Sequence, residues 1–215
     1  MHKYKKSKFL ILIPAYNELK NLKKFVKKAN KLAPVCVLDD GSQDDTYEWL
    51  NKNKICVKRN NFNLGYENNL LNGIKKYKKY CDYVITFDGD GQHKISDLKK
   101  ILNFKNLPDI VICNRTIKNR FMEIIISYVF NFFFGLKDPL SGFKVYNSKI
   151  LKKQNFENIG DFFLIDFLLT LLENKIINLE ITTKKREGDS RVGKLLTIGY
   201  KEIKILLKII SKKLI

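Results

Sequence analysis

Residues 83–93, YVITFDGDGQH, decide the fold prediction. Five strand-forming residues are followed at once by a polar turn that carries two aspartates and two glycines. The same arrangement comes earlier, in FLILIPAYNE (residues 9–18) and in VCVLDDGSQDDT (residues 35–46). A continuous apolar run is typical of a strand that is buried on both faces. The pattern therefore predicts buried strands that each end in a polar loop.

Helical patterns separate these runs, which predicts an α/β fold: a mostly parallel sheet with helices on both faces. The predicted strands are Phe9–Ile13, Val35–Leu38, Ile55–Lys58, Tyr83–Phe87 and Asp109–Cys113. The predicted helices are Leu19–Leu32, Asp45–Asn51, Gly65–Tyr80 and Ser96–Phe104. Ligands of such sheets bind beyond the carboxyl ends of the strands, where the three polar motifs lie.

The second half of the chain has a different pattern. Phe121–Phe134 is predicted as a helix that is apolar nearly all round, apart from one thin polar stripe of Glu123, Ser127 and Asn131. The further predicted elements are a helix at Phe162–Glu173, a strand at Ile176–Thr182, a polar loop at Lys184–Gly193 and a helix from Leu195 to Lys213. We divide the chain into one α/β domain, residues 1–194, and a C-terminal amphipathic helix, residues 195–215.

Cysteine usage and hydropathy point to the cytoplasm. The four cysteines lack CxxC spacing, which favours small buried residues in a reducing compartment over metal ligands or disulfides. The apolar run Phe9–Pro14 is too short for a signal peptide. No stretch has the roughly 18 uncharged apolar residues of a spanning helix.

The net charge of +19 fits a partner that carries phosphate: nucleic acid, an anionic membrane or a phosphorylated substrate. Compositional drift towards lysine explains the same charge without any partner. The five arginines are Arg59, Arg115, Arg120, Arg186 and Arg191. Four of them fall in two short segments, which indicates bidentate phosphate contacts in a chain that otherwise uses lysine.

Two motifs offer carboxylates at predicted strand ends. Asp88 and Asp90 are one residue apart and can both reach one hard divalent cation, Mg²⁺ or Mn²⁺. An ordinary Asp- and Gly-rich turn is the alternative. Asp39 can accept hydrogen bonds from a nucleobase or ribose, while Asp44 or Asp45 caps the following helix.

In order and spacing, four motifs resemble the family 2 glycosyltransferases, which have the GT-A (Rossmann-like) fold. They are IPAYNE, LDDGSQDDT, NxGxxNNLLNG at residues 63–73, and FDGDGQH. Three later segments resemble the branch of dolichyl- or polyprenyl-phosphate mannosyl- and glucosyltransferases. They are Asn114-Arg115, DPLSGF at residues 138–143 and REGDSR at residues 186–191. The resemblance covers roughly residues 8–194.

The resemblance assigns roles residue by residue. It implies a nucleotide-sugar site formed by Pro14, Tyr16, Glu18, Val37, Asp39, Asp88, Gly89, Asp90, Arg115, Arg186 and Arg191. It implies that Asp88, Asp90 and Gln92 hold the metal and that Arg120, Ser141 and Ser190 meet the acceptor phosphate. Arg191 stands where the family usually has Lys, and Lys185 stands where it often has Arg. Whether Lys185 or Arg186 contacts phosphate therefore stays open.

The implied reaction is an inverting transfer of a hexose from GDP-mannose or UDP-glucose to a polyprenyl or dolichyl phosphate. A lipid phosphate, with a second pKa of about 6, is already an anion at neutral pH and attacks without a strong base. Metal, Arg115 and Arg186 then stabilise the leaving diphosphate. If a base is needed, Asp138 is the candidate, and its alternative role is to cap the turn before Pro139.

The predicted final helix is amphipathic, with lysines on one face and leucines and isoleucines on the other. It either packs on the core or lies on an anionic bilayer. We expect peripheral contact with the cytoplasmic face of a membrane through this helix, with the apolar stretch 121–134 as a second point of contact. A separate membrane subunit is the alternative.

Three other functions compete with this one. A soluble or polysaccharide acceptor would keep the same chemistry, whereas a nucleotidyltransferase would need a GxGxR start that is missing after the first strand. A nucleic-acid-binding module is disfavoured, because acidic clusters at three strand ends repel phosphates unless metal is bound.

Overall fold

A seven-stranded sheet forms the centre of the computed structural model, which describes residues 6–118, 121–156 and 163–183. The strands are β1 (Ser7–Ala15), β2 (Val35–Asp39), β3 (Cys56–Arg59), β4 (Cys81–Thr86), β5 (Ile110–Arg115), β6 (Lys144–Asn147) and β7 (Ile176–Ile181). Their order is β3-β2-β1-β4-β6-β5-β7. Only β6 runs antiparallel to its neighbours, so the described sheet is mostly parallel, as predicted.

Helices cover both faces of the sheet. They are α1 (Leu19–Leu32), α2 (Thr46–Lys52), α3 (Tyr66–Tyr77), α4 (Ile95–Leu102), α5 (Phe121–Phe134), α6 (Ser148–Lys153) and α7 (Phe163–Thr170). Side chains of β1 alternate between two cores, because successive residues of a strand point to opposite faces. Leu10 and Leu12 pack with α3, α5, α6 and α7, whereas Ile11 and Ile13 pack with α1, α2 and α4.

The strand β6 and the helix α6 are absent from the sequence prediction. β6 is only four residues long and begins with Lys144, which is completely buried. A buried lysine breaks the apolar run on which strand prediction depends. The five strands that were predicted in the first half of the chain are all present as β1 to β5, with bounds that differ by a few residues.

All four cysteines are free thiols: Cys36, Cys81 and Cys113 are buried and Cys56 is half-buried. Their predicted role as small packing residues is confirmed. Burial raises the pKa of the Cys81 thiol to about 11, which keeps it uncharged.

Within the described ranges, no helix combines the length and apolar character that crossing a membrane requires. The predicted loop at residues 184–193 and the amphipathic helix at residues 195–215 lie outside these ranges.

Candidate active site

Two loops that follow β1 and β2 are joined at the carboxyl edge of the sheet. The backbone N–H of Asn17 donates to Ser42 Oγ over 2.9 Å, and Asn17 Oδ1 accepts from the N–H of Gln43 over 2.7 Å. Asn17 has a φ of 51°, a left-handed conformation that Asn tolerates better than most residues. The PAYNE and DDGSQDD motifs are therefore one structural unit.

Asp39 and Asp40 have different partners in this unit. Asp39 is fully buried, accepts from the N–H of Ser42 over 3.1 Å and lies 3.5 Å from Arg59 Nε. Asp40 accepts from the backbone N–H groups of Leu64 and Gly65, so it fixes the loop before α3. The sequence left the second aspartate unassigned, and the structure shows an anchoring role for it.

The other residues predicted to line the nucleotide site belong to the same two segments of the chain. Pro14, Val37 and Glu18 are buried, and Tyr16 is half-buried. Val37 is fully enclosed in the core, so the structure shows it as a packing residue, and its nucleotide contact stays a prediction. Asp44, rather than Asp45, accepts from the N–H of Thr46 at the start of α2.

Asp88 follows β4 and is held from two sides. Tyr66 donates its hydroxyl to Asp88 Oδ1 over 2.7 Å, and His93 Nε2 lies 3.0 Å from Asp88 Oδ2. Burial raises the pKa of Asp88, but His93, Tyr66 and the charge of Arg115 outweigh it and lower the pKa to about 2. Asp88 is therefore an oriented, ionised carboxylate.

Two glycines leave the space that the Asp88 carboxylate and its loop occupy. A Cβ on Gly142 would lie 2.0 Å from Asp88 Oδ1, and a Cβ on Gly89 would lie 2.8 Å from the carbonyl oxygen of Pro14. The SGF segment before β6 therefore packs directly against the carboxylate. No side chain fits at either position without moving the backbone or the acid.

Asp90 and Gln92 complete the predicted metal set on the half-exposed turn beside Asp88. The N–H of Gln92 donates to Asp90 Oδ1 over 3.0 Å, which orders the turn. The described part of the chain has no group of three or more His, Cys, Asp or Glu side chains suited to a metal. Two carboxylates and an amide oxygen fit Mg²⁺ or Mn²⁺ when substrate phosphates supply the remaining ligands.

Arg115 ends β5 and forms a bidentate ion pair with Asp138. Its Nε lies 2.9 Å from Asp138 Oδ2, its Nη2 lies 3.0 Å from Asp138 Oδ1, and Glu123 lies 3.4 Å from Nη2. Burial by itself lowers the pKa of Arg115. The carboxylates of Asp138 and Glu123 raise the pKa by a larger amount, so the guanidinium stays charged. Both oxygens of Asp138 are engaged, and its side chain is completely buried.

Lys144 is a second buried cation of the site. Its ammonium donates to the carbonyl of Ser141, and the carboxylates of Asp138 and Asp88 lie close enough to raise its pKa. Burial has the larger effect and lowers the pKa of Lys144 to about 8. Ser141 itself is fully buried, with Oγ accepting from the N–H of Phe143, so its predicted phosphate contact stays a prediction.

Beside Arg115 lies a cavity of about 400 Å³. Among the described residues, Thr116, Ile117, Lys118 and Ile124 also line it. The cavity thus joins two cationic side chains to two apolar ones, a combination suited to a phosphate that carries a hydrocarbon chain.

Sequence reasoning missed Tyr66, His93, Thr86 and Lys144 as parts of the site. His93 belongs to the quoted DGDGQH motif and Lys144 directly follows SGF, so both could have been named. Tyr66 and Thr86 gave no signal, because they reach the site through contacts between distant elements. The predicted residues Arg120, Arg186, Ser190 and Arg191 lie outside the described residues.

Thr86 connects β4 to the segment that packs on Asp88. Its hydroxyl donates to the carbonyl of Gly142 over 2.7 Å and accepts from the N–H of Lys144 over 3.1 Å.

We expect Thr86→Val to lower the free energy of unfolding by about 1–3 kcal/mol, because buried backbone groups lose their partner. The matched control is Thr170→Val, an exposed threonine that bonds only within its own helix and should cost less than about 0.5 kcal/mol. Denaturant unfolding measures both, and equal losses would contradict the assigned role of Thr86.

The sheet order, the acidic turn after β4 and the paired arginine define a GT-A glycosyltransferase. The chain belongs to the glycosyl transferase family 2, whose model matches residues 10–168. An uncharacterized protein of Methanocaldococcus jannaschii is 32% identical, in a match that covers 75% of this chain and 80% of that protein. A dolichol-phosphate mannosyltransferase of Pyrococcus furiosus is 25% identical, over 94% of this chain and 64% of that protein.

The fold also matches a solved structure. Glucosyl-3-phosphoglycerate synthase from Mycobacterium tuberculosis, in complex with Mn²⁺, UDP and glucosyl-3-phosphoglycerate, superposes with a TM-score of 0.70. The match covers 94% of this chain and 78% of that one, at 15% identity, and it confirms the predicted fold class.

Proposed function

We propose that this enzyme transfers a hexose from a nucleotide sugar, GDP-mannose or UDP-glucose, to the phosphate of a polyprenyl or dolichyl phosphate, with inversion. The observation that carries the proposal is the closeness, at one sheet edge, of an ionised Asp88 and a charged Arg115 beside a partly apolar cavity. The mannosyltransferase name of the Pyrococcus furiosus relative supports the same acceptor class.

The proposed roles follow from the contacts. Asp88, Asp90 and Gln92 would hold Mg²⁺ or Mn²⁺, which neutralises the diphosphate of the donor when bound. Tyr66 and His93 orient Asp88 for this task. Asp39, with Pro14, Tyr16, Glu18 and Val37 around it, is the proposed nucleotide end of the site.

Arg115 is proposed to contact phosphate, and Asp138 to position Arg115. Both carboxylate oxygens of Asp138 accept from Arg115, so a positioning role fits the geometry better than a base. The acceptor phosphate needs no base, because it is already an anion at neutral pH. Arg120, Arg186, Arg191, Ser141 and Ser190 remain proposed phosphate contacts.

The test is transfer of radiolabel from a panel of nucleotide sugars, with and without a polyprenyl phosphate. We expect lipid-soluble product with one donor, only with divalent metal, and none when the unphosphorylated polyprenol replaces the acceptor. 3-Phosphoglycerate is the second acceptor to include, since the neighbouring fold binds its glucosylated product. Transfer to that soluble phosphate, and none to the lipid, would refute the proposed acceptor.

A further inference from the structure

The helix α5 carries a stripe of large apolar side chains that faces solvent. Phe121, Ile124, Tyr128 and Phe132 are 76%, 51%, 73% and 74% exposed. Their spacing of three, four and four residues places them on one face of the helix. We call these four residues the α5 stripe.

Two of the three residues of the polar stripe of α5 face the protein. Glu123 lies 3.4 Å from Arg115 Nη2 and Ser127 is buried, whereas Asn131 is exposed. A surface helix of a globular protein normally shows the reverse arrangement, with its polar side in water. The ion pair of Glu123 with Arg115 holds α5 in the rotation that exposes the stripe. Contiguous exposed apolar side chains of this kind mark a contact surface.

The α5 stripe is continuous with the proposed phosphate site. Ile124 belongs both to the stripe and to the wall of the cavity that Arg115 and Lys118 line. Exposed Ile117 extends the apolar surface, and the basic side chain of Lys118 adjoins it. An apolar stripe with cations at its border complements an anionic bilayer, in which hydrocarbon lies directly below charged head groups.

We propose that the α5 stripe inserts into the boundary between the head groups and the acyl chains of an anionic membrane. Docked in this way, the enzyme presents the cavity and Arg115 to an acceptor phosphate at the bilayer surface. The inference rests on the proposed function, because it supplies the lipid acceptor with a route to the site. It assigns this contact to α5, whereas the sequence pointed first to the final helix.

The test replaces the stripe residues that do not line the cavity, in the full chain, by Phe121→Gln, Tyr128→Gln and Phe132→Gln together. Glutamine keeps a high helix propensity, and the three sites are exposed, so the fold should persist. Phe62→Gln is the matched control, since Phe62 is 68% exposed but lies in the loop before α3. Co-sedimentation with vesicles of equal parts phosphatidylcholine and phosphatidylglycerol measures binding. Transfer assays compare a long-chain acceptor in vesicles with a short-chain, water-soluble polyprenyl phosphate.

We expect the threefold variant to lose about tenfold or more in vesicle binding and in transfer to the embedded acceptor. Transfer to the short-chain acceptor should stay within about twofold, and Phe62→Gln should bind vesicles as the parent does. Unchanged vesicle binding would overturn the proposal in favour of the final helix. A parent dimer that the variant dissociates would overturn it in favour of a second copy.

Two further results keep the conclusions separate. If circular dichroism shows that the threefold variant is unfolded, Tyr128→Gln and Phe132→Gln are tested singly, and unchanged binding of both contradicts the proposal. If the parent transfers sugar to neither acceptor while vesicle binding still depends on the stripe, the proposed acceptor fails and the docking surface stands.

Discussion

Asp90→Asn should abolish measurable sugar transfer, a loss of about a hundredfold or more, while the fold stays intact. Asp90 lies on the half-exposed turn after β4, and its Oδ1 accepts from the N–H of Gln92. An asparagine oxygen can still accept that hydrogen bond, so the turn should keep its shape. The substitution removes one charge and one anionic ligand from the proposed metal site.

The control is Asp82→Asn, at the opposite end of the same strand. Asp82 is exposed and pairs with Lys6 over 3.2 Å, so its loss should leave activity unchanged. Binding of Mn²⁺, followed by electron paramagnetic resonance in the presence of the nucleoside diphosphate, should weaken for Asp90→Asn alone. Near-normal turnover of that variant, or full activity of the parent in excess chelator, would rule out the metal role.

Asp138→Asn should destabilise the protein by about 3–5 kcal/mol, because it breaks a buried ion pair and leaves Glu123 as the ion-pair partner of Arg115 among the described residues. The amide cannot accept from both Nε and Nη2 as the carboxylate does. Activity should fall together with stability, since Arg115 loses its fixed orientation. Denaturant unfolding and transfer assays at low temperature measure the two effects.

Asp97→Asn is the matched control for burial alone. Asp97 is also buried, but it pairs with the exposed Lys100, one turn further along α4, and contacts no arginine, as far as the described residues show. We expect a smaller loss of stability and no change in activity. If Asp138→Asn were as stable as the parent and simply inactive, Asp138 would act as a base rather than as the partner of Arg115.

The parallel part of the fold could be predicted because its strands are long and apolar. β1, β2 and β4 end directly before polar motifs, and parallel strands bring those ends to one edge. The acidic turn and the loops proposed for the nucleotide could be placed at one sheet edge for this reason. Asp88 and Asp90 needed only their sequence spacing to be proposed as metal ligands.

The contacts across the sheet could not be predicted in this way. No local pattern shows that Tyr66 on α3 reaches Asp88, or that Asp138 pairs with Arg115 across 23 residues. Lys144 was hidden because a lysine is normally taken as exposed, and here the neighbouring carboxylates allow its burial. The rotation of α5 about its own axis could not be predicted either, because apolar residues occur on nearly every side of the helix.

The position of β6 divides the sheet into two halves that the ribosome produces one after the other. β3, β2, β1 and β4 are adjacent in the sheet and have all been synthesised when the chain has reached residue 86, so this half can assemble first. β5 pairs with none of them and must wait for β6 and β7 among the described strands. The antiparallel β4–β6 pair then joins the halves. Asp88 belongs to the earlier half, and Arg115, Asp138 and Gly142 belong to the later one. A nascent chain therefore holds the proposed metal carboxylates before it holds Arg115 and Asp138, and these parts of the proposed active site come together only when the two halves pair.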